Sequence, residues 1–100
     1  MDKVKSVNDV PIRLTKERWF HITEGHPEMA GYYHEILETV EEPDSVYAGH
    51  EDELLAMKET EKGKYIVVVY KEVNEEDGFI ITSFLTTKDE SIKRREKIWP

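Results

Sequence analysis

The chain has 100 residues, 38% hydrophobic and 36% charged, with a formal net charge of −8 and no cysteine. That is too apolar for a disordered chain and too short for two independent cores, so residues 1–100 are expected to form one domain. The missing cysteines exclude disulfides, thiolate metal sites and cysteine nucleophiles, and the acidity argues against a protein built mainly to hold phosphate backbones.

The opening "MDKVKSVND" is charged and has no apolar stretch. No secretory signal is expected from it, no run approaches the ~18 apolar residues of a membrane span, and a cytoplasmic protein without membrane partners is expected. "VPIRL" (10–14) predicts a short extended lead-in, because Pro11 fixes its own φ and biases Val10 away from helix. Thr15 then stands where a helix N-cap belongs, ahead of "KERWFHITE", and Gly25 offers a left-handed stop. A second helix is predicted from Pro27, because Met29, Tyr33, Ile36, Leu37 and Val40 recur at helical spacing with glutamates elsewhere; Pro43 ends it.

Beyond Pro43 the period changes. "SVYAG", "ELLAMKET", "KYIVVVYKEV" and "GFIITSFLTT" read as strands, and their short polar connections predict an antiparallel meander. Thr87 and Glu90 have the spacing of a capping box before the basic "SIKRREK", and the ending "IWP" should pack back through Ile98 or Trp99. The expectation is an α+β fold: two N-terminal helices packed on a four-stranded antiparallel β-meander, with a short C-terminal helix.

Charge is unevenly spread. Residues 1–26 hold five Lys/Arg against four Asp/Glu, residues 27–63 two against eleven, and residues 64–100 seven against seven. The acidity belongs to the middle of the chain, which leaves a neutral or locally basic face for the two ends to build.

The candidate chemistry centres on "ERWFHITEGHPEM". Gly25 and Pro27 are explained by helix punctuation, and the two imidazoles by structural hydrogen bonding near helix ends, but neither position specifically requires histidine. Imidazole, with its reference pKa of about 6.5, can gain or lose a proton near neutrality. His21 and His26 in one cleft would divide the acid and base roles of metal-free phosphodiester cleavage. Arg18, one turn before His21, would hold phosphate, and Arg95 would add charge if the tail folds alongside. Thr82 and Ser83 fall on opposite faces of the last strand, where a hydroxyl can bond a phosphate oxygen. The four histidines have no close-set metal-ligand spacing and there is no glycine-rich phosphate loop, so no metal or cofactor is expected.

The segments "IRLTKERWFHITEGHPEMAGYYHEILETVEEPDSVYAG", "KYIVVVYKE" and "GFIITSFLTT" closely resemble small stand-alone proteins of the phage-type branch of the barnase/EndoU/colicin/RelE-like nuclease fold, over roughly residues 10–99. The resemblance implies two helices against an antiparallel meander and metal-independent RNA cleavage in a toxin-like role, with an antitoxin or immunity protein as partner. His21 and His26 match its helix-one and His-Pro-Glu positions, and Thr82 the threonine of its last strand; Ser83 ranks below Thr82. Fold does not fix function, so a rival expectation stands beside it: a catalytically inactive module whose acidic middle meets a basic protein partner.

Overall fold

The computed structural model describes residues 2–100. Its centre is the meander expected from the sequence: β3 (Ser45–Ala48), β4 (Leu54–Glu61), β5 (Lys64–Asn74) and β6 (Asp77–Thr86), each antiparallel to the next. Three further strands extend it. β1 (Asp2–Lys5) and β2 (Pro11–Leu14) form a hairpin whose second strand pairs in parallel with the start of β6, while β7 (Lys97–Trp99) pairs antiparallel with β3. The result is a seven-stranded mixed sheet in the order β1-β2-β6-β5-β4-β3-β7, in place of the expected four-stranded antiparallel one.

The hairpin was hidden because its first strand is polar. Only Val4 of "DKVK" packs on the core, as suits an edge strand with one face in water. Its turn is fastened by Ser6, whose hydroxyl accepts from the Val10 N–H (3.3 Å) and donates to the Glu72 carboxylate (2.5 Å).

One face of the sheet carries the helices. Thr15 caps α1 (Lys16–Gly25) as expected, accepting the Arg18 N–H at 3.1 Å. Gly25 is not left-handed; it is the last helical residue, and the helix ends at His26 because Pro27 disfavours helical geometry before it. The predicted second helix divides into a 3-10 turn (Pro27–Gly31) and α2 (Tyr33–Glu41), Gly31 being a poor residue to carry α-helix through. The apolar stripe survives the break: Met29, Ile36 and Val40 are fully buried. With Ile22 they cover Ile12, Leu14, Val46, Ala56, Ile66, Val68, Tyr70 and Ile80 of the sheet.

The other face has a smaller core. Residues 87–96 cross it, and Ile92 of α3 (Glu90–Lys93) packs on Tyr47, Leu55, Met57 and Val67. The expected capping box is absent: Asp89 stands at the N-cap without a side-chain bond. Lys93 instead ties the turn down, 2.8 Å from Asp89 and over the Tyr65 ring. That pairing raises the Lys93 pKa and lowers that of Asp89. The tail ends as expected through Trp99, which packs on the main core, while Ile98 stays exposed.

Two substitutions test this packing. A Cβ at Gly78 would lie 2.5 Å from Ile12 Cδ1 and 2.6 Å from the Lys71 carbonyl oxygen, so Gly78→Ala is expected to cost about 1–3 kcal/mol in urea unfolding. The Tyr70 hydroxyl is buried without a protein partner, and burial pushes its pKa up. Tyr70→Phe is therefore expected to raise stability by about 1 kcal/mol.

Candidate functional site

Beside the smaller core the second face carries half-buried residues, and one irregularity decides which of them stand there. Val69 pairs with Thr82 but Tyr70 pairs with Ile80, so Ile81 is an extra residue in β6, a bulge. A strand shows alternate residues to each face, and an inserted residue reverses that alternation beyond it. Before the bulge Ile80 points to the helices and Phe79 away; after it Ser83 points to the helices, and Thr82 and Phe84 away. Two aromatic rings at an odd spacing thereby reach the same side.

Their neighbours follow from register. Arg13 and Lys71 flank Phe79 on β2 and β5, and Lys3 flanks Arg13 on β1. The Arg13 guanidinium lies 5.7 Å from the Phe79 ring centre and is paired with the Asp77 carboxylate. Phe79, Thr82, Phe84 and Lys71 are each half-buried, within reach of a ligand. None of Arg13, Phe79, Lys71 and Phe84 stood out in the sequence, because only the bulge and the parallel β2–β6 pairing assemble them. Phe79 and Phe84 were visible as aromatic residues of a strand, but plain alternation would set them on opposite faces.

His26 meets this strip at its lower end. Its N–H closes α1 on the Ile22 carbonyl (2.7 Å) and its carbonyl accepts the Met29 N–H (2.9 Å), so its backbone is held from both sides. The imidazole centre lies 6.0 Å from that of Phe84, with Nδ1 3.5 Å from the Glu28 carboxylate.

The remaining candidates are dispersed. His21 is exposed between Glu17 and Glu24, each 3.9 Å away. At about 100° per residue it is turned roughly 140° around α1 from His26, so the two rings do not share a helix face. Arg18 is exposed on α1. Ser83 is fully buried and donates to the Val67 carbonyl at 2.8 Å, out of reach of a substrate. Arg95 lies at the β3–β7 end of the sheet, 2.9 Å from His50 Nε2, about 14 Å or more from β6 at ~4.8 Å per strand. Nearby, the Glu53 carboxyl is held low chiefly by the Glu51 backbone, with His50 and Arg95 adding to it.

A cavity of about 360 Å³ opens on the helix side between α2 and β4. Glu35, Glu38, Glu59 and Glu61 line it, Glu38 pairing with Lys58 at 3.2 Å, and none of the candidate residues does. Among the described residues no three His, Asp or Glu side chains are placed to hold a metal ion together, and no helix is long and apolar enough to cross a membrane.

Ser83→Ala, which removes a buried hydrogen bond, is expected to lower stability by about 1 kcal/mol in thermal or urea melts. A cost below a few tenths would mean that the hydroxyl does not hold the β5–β6 pairing.

No curated protein and no solved structure matches the chain. A family model does, over residues 1–99, and with it the α+β architecture acquires a lineage: the chain belongs to the phage-Barnase-EndoU-ColicinE5/D-RelE like nuclease2 family.

Proposed function

We propose that this member of a nuclease family is a metal-independent endoribonuclease in which His26 carries the proton transfer. The observation that supports the reading most is the setting of His26: a fixed backbone at the end of α1, a half-exposed imidazole, and the Phe84 and Thr82 side of β6 beside it. In the proposed reaction the 2′-hydroxyl oxygen bonds to phosphorus while the bond to the 5′ oxygen breaks. His26 takes the hydroxyl proton, and the departing 5′ oxygen takes one from water. Thr82 hydrogen-bonds the strand, and Arg18 with His21 contacts phosphate along the flank of α1. The biological setting that goes with this reading is a toxin-like cytoplasmic protein held in check by an antitoxin or immunity protein.

The test is cleavage of single-stranded RNA by the purified protein in EDTA. His26→Ala is expected to reduce the rate at least 100-fold with the melting curve unchanged, the scale on which a lost acid–base group acts. His21→Ala, removing only a peripheral contact, is expected to cost less than about tenfold. Undiminished cutting by the His26 variant would reject the site, and equal large losses from both would restore a paired-histidine mechanism.

A second reading draws on the acidic cavity between α2 and β4. A chain that cuts no RNA but captures a basic protein in a salt-sensitive way, with capture lost in Glu38→Gln/Glu59→Gln, would be a binding module on the same scaffold.

A further inference from the structure

Beside the smaller core, the second sheet face brings half-buried aromatic rings and cations together on rigid strands, Phe84 resting with one side on that core. Along it stand Lys3, Arg13 and Phe79, then Lys71, then Thr82 and Phe84, ordered by the β1–β2, β2–β6 and β5–β6 registers. Acids beside this strip are paired: Asp77 with Arg13, Asp9 with Lys5 at 3.5 Å, and Glu28 with His26, also at 3.5 Å. The acidic cavity lies on the opposite side of the sheet. At physiological salt, charges are screened over about 8 Å, so a ligand on this strip is influenced mainly by the strip itself. A net charge of −8 therefore does not forbid an anionic ligand here.

We infer that a single-stranded RNA segment lies along β6 on this face, with bases stacked on Phe79 and Phe84 and phosphates held by Lys71 and Arg13. Asp77 acts as the internal anion that Arg13 gives up to bind it. The inference deepens the ribonuclease reading and takes its ligand class from it. The surface chemistry fits single strands better than duplex: stacking needs bases whose faces are free, and neither ring stands on a protruding element that could enter a groove. By register Phe79 and Phe84 stand opposite Lys71 and Val67, four residues apart on β5, so about 13 Å separates them at ~3.3 Å per residue, a span covered by a short run of nucleotides rather than by one base. The run leads toward His26, beside Phe84.

Arg13 supplies the least obvious consequence. In the free protein its charge is neutralised by Asp77 while its plane rests near the Phe79 ring. A phosphate competes with Asp77 for the same guanidinium, and both anions match its planar fork of donors. Removing the internal competitor should help the ligand, although it removes a salt bridge from the protein.

The experiment measures binding of a fluorescent 2′-O-methyl oligonucleotide, which lacks the attacking hydroxyl, to the full chain by anisotropy at several salt concentrations. The single strand is expected to bind at least tenfold more tightly than the same sequence in a duplex. Phe79→Ala and Phe84→Ala are each expected to weaken single-strand binding about tenfold. Lys71→Gln should weaken it for every sequence and reduce the salt slope by about one. Asp77→Asn should tighten binding several-fold, while Glu59→Gln on the opposite side leaves it unchanged. Should an alanine variant melt abnormally, Phe79→Leu or Phe84→Leu keeps the apolar bulk and removes the π-face. Equal affinity for duplex and single strand, wild-type binding by both phenylalanine variants, or weaker binding by a folded Asp77→Asn would overturn the inference. RNA cutting with unaltered binding in the phenylalanine variants would sink this strand path and leave the ribonuclease reading standing; the expected binding pattern without cutting would do the reverse.

Discussion

A single inserted residue determines how this sheet presents itself to solvent. Side chains in a strand alternate strictly, so without the bulge at Ile81 the segment "GFIITSFLTT" would either put Phe79 beneath the helices or put Phe84 there and turn Ser83 outward. The insertion lets both halves of β6 satisfy the core independently: Ile80 above it and Ser83 with Leu85 below it face the helices. The price is local disruption of the ladder, and the return is a face with two aromatic rings on one side. Bulges commonly re-aim side chains beside functional sites, and β6 is where the candidate site of this chain lies.

The same sheet separates charge. The acidic middle of the sequence becomes α2, the strand that follows and the loops around them, concentrating glutamates about the helix-side cavity. The two ends of the chain, with a slight excess of basic residues, contribute β1, β2, β5 and β6, and register gathers Lys3, Arg13 and Lys71 on the other side. Net charge is thus a poor guide to either face. A polyanion of the kind proposed would meet repulsion on the helix side and be turned toward the other face before any specific contact forms.

Much of this was readable from residues. Thr15 announced α1, the stripe Met29, Ile36, Val40 announced a helical face, and β-branched runs announced β3 to β6, because each depends on local preferences and periodicity. What stayed hidden depends on partners. β1 has too little apolar character to signal a strand, and is one only because β2 offers a ladder; β2 in turn pairs in parallel with a strand more than sixty residues away. The division of the second helix at Gly31 leaves the buried stripe intact, so hydrophobic spacing could not reveal it. For the site, the sequence singled out the histidines as unexplained by punctuation, and the fold sets them apart, His21 between Glu17 and Glu24 and His26 beside Phe84. The sequence had no means of linking His26 to Phe84.

That linkage gives the site its mechanical logic. Reaction geometry is lost quickly when a proton-transfer group wanders, and recognition surfaces on loops cost entropy to order. As the proposed proton-transfer group, His26 would escape the first problem, because two backbone hydrogen bonds and the proline after it hold the chain where it leaves α1. The strip proposed along β6 would escape the second, because its residues stand on strands anchored by Ile12, Val68 and Ile80 in the core. Gly78 adds a constraint at the other end: a Cβ there would strike the Lys71 carbonyl oxygen of β5 and the tip of Ile12, so a larger residue would disturb the β5–β6 ladder beside Phe79. Packing of the core and the position of the Phe79 ring therefore depend on the same glycine.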